Sequence, residues 1–366
     1  MMARPKKSTS RPGKTPTSSR RTRRSTTPLN GRVAVVAGAT RGAGRGIARA
    51  LAEAGATVYC TGRSVPGNPS PYKRPETIDE TAAMIAADGG SAVAVRVDHT
   101  VESEVEALFA RVGKAHGRID LLVNCVAGEE PLMRQWGDFW KVDVTHADAI
   151  LRQSLVSHII TAKHAALAMM RARRGLIVET TENDILSAGG NPLAQAVKLA
   201  IKGFALTMAA ELKSHGITAV AITPGFLRSE AMLERHDVTE DNWRDAGKKD
   251  PNFLESESPL FVGRAVAALA RDPDVMRHTG RLLSSWELSR EYQFTDYDGR
   301  RPDWGRLAID FSVLPPAWID LFRTGTELQL AWLSELAGRT REFLAKIPAP
   351  KKRIPALEKK RKQRAR

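Results

Sequence analysis

Three glycines, Gly38, Gly42 and Gly44, follow directly on the apolar run 33–36 and open a helical pattern that begins near Arg45. Glycines so placed let the chain turn tightly off a strand and bring main-chain N–H groups at a helix N-terminus against a phosphate. A second apolar run, 57–61, follows the helix. Strand, glycine turn, helix and strand within one ~30-residue unit is the context that marks a dinucleotide site. Thr40 and Arg41 lie inside the turn, and the second run ends Cys60-Thr61-Gly62-Arg63-Ser64, with no carboxylate to receive ribose hydroxyls. Arg41 and Arg63 instead present paired guanidinium donors to a 2′-phosphate, which favours NADP(H) over NAD(H).

The elements that must position these residues follow from the hydrophobic pattern. Strands are predicted at 33–37, 57–61, 92–97, 121–124, 176–179, 218–222 and 282–283, with helices at 44–54, 77–88, 102–116, 147–171, 192–215 and 263–270. Such alternation predicts an α/β fold, a Rossmann-like doubly wound parallel sheet whose ligands sit beyond the carboxyl ends of the strands. Gly38, Thr61, Asp98, Asn124, Thr181 and Pro224 all fall at or just past those ends. A proline-rich loop, 66–76, follows the second strand beside the expected adenosine phosphate. The domain is expected to run over 30–290, followed by a C-terminal helical extension at 291–345. Overlapping its end, 316–347 carries Trp318, Leu321, Phe322, Leu328, Trp332 and Leu336, a pattern of one or two amphipathic helices that pack on the body or on a second subunit.

The spacing Gly38-x-x-x-Gly42-x-Gly44, with further landmarks in order from about 30 to 288, resembles the short-chain dehydrogenase/reductase family. Asp98 stands where that family has an adenine-binding aspartate. Asn124-Cys125-Val126-Ala127-Gly128 is similar, in altered form, to its Asn-Asn-Ala-Gly motif. Pro224-Gly225-Phe226-Leu227-Arg228-Ser229 resembles the loop that holds the nicotinamide carboxamide. The stretch from Arg228 to Asp296 is most similar to the family's member 1-like branch. The resemblance implies hydride transfer between NADP(H) and a small-molecule carbonyl or alcohol, run by an Asn-Ser-Tyr-Lys set. Lys198 matches the lysine; one helical turn earlier, where tyrosine belongs, stands Ala194, and Gln195 points about 100° away from that face. The serine position falls on Glu182, with Thr181 beside it, and the asparagine position on Ser154.

Two readings follow. In one, hydride transfer persists and Glu182, Asp184 or Thr181 supplies the proton, because burial can raise a carboxyl pKa into a useful range. In the other, the chain binds NADP(H) without turnover, as a sensor, scaffold or partner subunit, since loss of a general acid slows a reaction roughly 10²–10⁴-fold. Lys198 can hold the nicotinamide ribose in either. Glu129, Glu130, Trp136 and Trp140 follow Gly128; the two tryptophans, four apart, either line a substrate pocket or simply pack.

The formal charge of +15 would suggest a polyanionic partner, but its distribution argues otherwise: residues 1–29 carry +9, residues 346–366 another +9, and the rest is near −3. Both tails lack hydrophobic periodicity and are expected to be disordered. They either solubilise the chain or make nonspecific contact with nucleic acid or membrane surfaces. No apolar run reaches the ~18 residues that suggest a membrane span. Two cysteines, Cys60 and Cys125, fit a reducing, cytoplasmic setting without disulfides. The eight histidines show no ligand spacing, so no metal is expected. The family resemblance implies a homo-oligomer built on the helices at 147–171 and 192–215.

Overall fold

The computed structural model describes residues 27–69, 74–127, 139–182 and 191–308. All seven predicted strands are present: β1 (Val33–Ala37), β2 (Thr57–Gly62), β3 (Ser91–Arg96), β4 (Leu121–Asn124), β5 (Gly175–Thr180), β6 (Ile217–Thr223) and β7 (Leu282–Ser284). They pair in parallel throughout, in the order β3-β2-β1-β4-β5-β6-β7. Each inner strand is covered on both faces, which is why β1 and β6 are continuously buried rather than alternating.

The helices are α1 (Gly42–Glu53), α2 (Ile78–Ala87), α3 (Glu102–His116), α4 (Ala147–Leu151), α5 (Ser157–Ala172), α6 (Pro192–Leu212), α7 (Glu230–Arg235), α8 (Pro259–Arg271) and α9 (Ser285–Tyr292). One apolar layer joins Ile47 and Leu51 of α1 with Val262 and Val266 of α8. The opposite layer joins Val105 and Leu108 of α3, Ala165 and Met169 of α5, and Met208 of α6. The architecture is therefore a Rossmann-like doubly wound sheet, and the order reverses between β1 and β4, where a crevice opens. On the first face α1 and α8 cross backbone to backbone: a Cβ on Gly46 would lie 1.9 Å from the Pro259 carbonyl oxygen.

Several elements differ from expectation for local reasons. The helix predicted at 147–171 is broken by a π-helical turn, Arg152–Val156, between α4 and α5. Ser157 Oγ donates to the Gln153 carbonyl at 2.6 Å and Thr161 Oγ1 to the Ser157 carbonyl at 2.7 Å, so hydroxyls compete for carbonyls of the ladder. The last predicted helix begins earlier, at Pro259, whose missing N–H is no loss in a first turn. α9 escaped notice although Ser284-Ser285-Trp286-Glu287 is a capping pattern, and the Ser284 side chain accepts from the Glu287 amide.

The unit that carries the sheet runs to Trp304. Asp296 explains part of this, because its carboxylate accepts from the Ser258 amide at 2.8 Å at the start of α8. A second unit begins at Gly305, of which residues 305–308 are described. The helices predicted within 316–347 and the tails 1–26 and 346–366 lie outside the described residues. One stretch, Pro192–His215, is long and apolar enough to cross a membrane by length and composition. In this fold it connects β5 to β6, with Val197, Ile201, Ala205 and Met208 buried.

Candidate active site

The carboxyl ends of the strands converge on one cleft. From the first turn Gly38, Thr40, Arg41, Gly42 and Gly44 line it, and Arg63 and Ser64 follow from β2. Gly38 has φ +83°, and a Cβ on it would lie 2.3 Å from the Cys125 carbonyl oxygen, so only glycine lets β1 turn this closely past β4. Arg41 precedes α1 without capping it, and the Gly42 amide donates to Glu230 Oε2 at 2.8 Å. Arg45 ties the turn from below, donating from Nε to the Thr40 carbonyl and from Nη2 to Glu80 at 2.7 Å, with Nη1 3.2 Å from Glu230.

On the β2 side stand three arginines. Arg63 Nη1 lies 3.7 Å from Asp98 Oδ2. Burial opposes ionisation of Asp98, but the Thr100 amide and hydroxyl, at 2.9 and 2.7 Å, and the Arg63 charge outweigh it and hold the carboxyl below its usual range. Arg74 also lines the cleft, paired with Glu76 and with Glu234 at 2.6 and 2.7 Å. It was not singled out in the sequence, although it stands in the proline-rich loop already placed beside the adenosine phosphate.

On the β5 side the expected catalytic positions do come together. Thr181, Glu182, Ser154 and Lys198 line the same cleft. Lys198 Nζ is 3.4 Å from Glu182 Oε1, and Thr181 Oγ1 donates to the Lys198 carbonyl at 3.2 Å. Ser154 sits in the π-helical turn, 1% exposed, and its hydroxyl has no hydrogen-bond partner among the described residues. Ala194 lies in the first turn of α6 and packs with Ile150, Val197 and Ile201 in a small apolar cluster. Asp184, Gly128, Glu129, Glu130 and Trp136 lie outside the described residues, and Trp140 is largely exposed.

Three residues expected to bind cofactor, Asn124, Gly225 and Asp98, have protein partners of their own. The Asn124 side chain does not line the cleft; its Nδ2 donates to Glu179 Oε1 at 2.9 Å and to the His158 carbonyl at 3.1 Å. Gly225 also turns away, donating its amide to Glu257 Oε2 at 2.9 Å, while Pro224, Leu227 and Ser229 line the cleft. Asp98 acts next to the cleft through Arg63 rather than as part of its lining.

Two histidines, His99 in the cleft lining and His158 behind it, were considered in the sequence only as metal ligands, if at all. His158 Nδ1 is 2.6 Å from Glu179 Oε2, and Nε2 is 2.9 Å from the carbonyl of Val126, a residue of the cleft wall. Burial pushes the His158 imidazolium down, but the Glu179 carboxylate and the Val126 carbonyl outweigh burial and raise it. His99 lies between Thr61 Oγ1 and Thr161 Oγ1, at 2.8 and 2.9 Å; burial, helped by the His158 charge, pushes it down to about 3. His99 thus bridges β2 and α5 through the two threonine hydroxyls.

A glycine turn at a sheet reversal, with a lysine on the opposite wall, is the layout of a nicotinamide enzyme, and the relatives agree. Residues 32–240 match the family model described as short chain dehydrogenase. Dehydrogenase/reductase SDR family member 1 of Mus musculus is 36% identical over 305 residues, covering 81% of this chain and 94% of the mouse protein. The Homo sapiens protein of the same name is 35% identical over 278 residues, covering 75% and 85%. A solved variant of actinorhodin polyketide ketoreductase with NADPH matches with a TM-score of 0.56 at 24% identity, over 69% of this chain and 95% of that one. The chain belongs to the short-chain dehydrogenase/reductase family of oxidoreductases, and within it to the member 1-like branch.

Proposed function

We propose that this protein binds NADP(H) and moves hydride between it and a small carbonyl or alcohol, with a proton route that differs from the tyrosine route implied by the family. The observation that carries the reading is Lys198 Nζ 3.4 Å from Glu182 Oε1, beside Thr181 and across the cleft from the glycine turn. The residues fit a dinucleotide: Gly38 leaves a cradle that a Cβ would fill, and Arg41, Arg63 and Arg74 gather on the β2 side. Those three arginines would hold a 2′-phosphate, which an acidic side chain at the end of β2 would repel. When bound, the dinucleotide supplies or accepts hydride at its nicotinamide ring. Lys198 then holds the nicotinamide ribose and places positive charge beside the substrate oxygen. Glu182, whose side chain is 64% exposed rather than buried, would pass the proton between that oxygen and solvent, and Thr181 fixes the carbonyl end of the lysine's turn. On α5 and α6, Leu167 is 52% and Leu206 60% exposed, which supports a homo-oligomer joined along those helices.

The second reading, an NADP(H) binder without turnover, draws on Ala194, which stands one turn before Lys198 among apolar neighbours, with no acid in that cluster among the described residues. NADPH consumption with a panel of aldehydes, ketones and quinones separates the two. Activity that falls roughly 10²-fold in Glu182→Gln supports the first reading. Background rates throughout, with cofactor binding intact, support the second; in that case Ala194→Tyr is expected to restore measurable turnover.

A further inference from the structure

Glu257 is 1% exposed, lies between the loop at Pro224 and α8, and has no part in the hydride chemistry above. Its contacts converge on that loop. Oε2 accepts from the Gly225 amide at 2.9 Å and from the Ser285 hydroxyl at 2.5 Å. Its own amide donates to the Phe226 carbonyl at 2.9 Å, and its carbonyl accepts from the Arg228 amide at 2.9 Å. The groups so used lie on either side of Leu227, which with Pro224 forms cleft wall. One residue therefore fastens the loop by main chain and side chain together.

We propose that Glu257 is a positioning residue for the nicotinamide half of the cofactor: by holding Gly225, Phe226 and Arg228 it fixes the surface that Pro224 and Leu227 turn toward the cleft. The inference rests on the dinucleotide reading of that cleft. Its physical basis is preorganisation, since a loop held in its bound form loses less entropy when a ligand arrives. Oε1 is buried with no hydrogen-bond partner among the described residues. The nearest guanidinium, Arg228, is committed elsewhere, to Glu240 at 2.8 Å and the Ser256 carbonyl at 2.7 Å. Burial, reinforced by Asp296 and opposed by Ser285, Gly225 and Arg228, pushes the Glu257 carboxyl up to about 8. It is therefore uncharged near neutrality, and glutamine reproduces its shape and its acceptor.

The test compares the full-length protein with Glu257→Gln, Glu257→Ala and Ser285→Ala, each titrated with NADPH and with adenosine 2′,5′-bisphosphate, which lacks the nicotinamide half. Glu257→Ala is expected to weaken NADPH binding about tenfold while leaving the bisphosphate within about twofold, and Glu257→Gln to keep both. Ser285→Ala, which leaves the carboxyl but removes one of its donors, is expected to fall between them and carries the comparison if Glu257→Ala does not fold. A pH arm adds a second readout. From the ordinary 4.5 up to about 8 the unfolded chain has released this proton and the folded chain has kept it, so stability falls as pH rises across that window and levels above it. Glu257→Gln should lack that slope. Equal loss of both ligands, or a folded alanine variant that binds NADPH as the parent does, would overturn the positioning role. A parent protein that binds neither ligand would instead bring down the cofactor reading, and this inference with it.

Discussion

Ala194 and Lys198 show how far single residues carry the chemistry. The place of the lysine follows from one crossover helix, and the structure sets it beside Glu182. The partners of Asn124 were not legible because β4 is buried on both sides, so no alternation tells which face its last side chain takes. It joins Glu179 and His158 beneath the cleft. That buried pair yields a prediction at this scale. His158→Ala leaves the buried Glu179 carboxyl without its imidazole partner and should cost about 3–5 kcal/mol, read by denaturant unfolding. Because the His158 pKa is raised, the stability it contributes is full below its ordinary 6.5 and is lost as pH rises through the folded value. The variant should show a flatter profile over that window.

Among elements, strands and crossover helices were the readable part, since parallel pairing demands long apolar runs and the glycine turn demands its own residues. Interruptions were not readable. The π-helical turn at Arg152–Val156 depends on which carbonyls Ser157 and Thr161 claim, a matter of side-chain direction rather than periodicity. α7 has only six residues, too few to show a period. The α1–α8 crossing was also invisible, because Gly46 and Gly263 look like ordinary helix glycines until the two backbones are seen to touch. Gly46→Val would drive a side chain into the Pro259 carbonyl and should destabilise by about 1–3 kcal/mol or more, visible as a drop of several degrees in Tm. An unchanged Tm would mean that the two helices can part without penalty.

For the molecule as a whole, charge is divided between a body near −3 and terminal segments of +9 each. Binding to heparin or DNA should therefore weaken steeply with salt in the full chain and vanish when residues 1–29 and 346–366 are removed, by fluorescence anisotropy across a salt series. Retention by the trimmed body would place the contact on the folded surface. Negative charge also reaches the mouth of the cleft, where Glu230 rests on the Gly42 amide and against Arg45. If a dinucleotide binds as proposed, its phosphates would compete with this carboxylate for the head of α1. Association would then be an exchange of one anion for another, and the cofactor's affinity would carry the cost of parting Glu230 from Gly42 and Arg45.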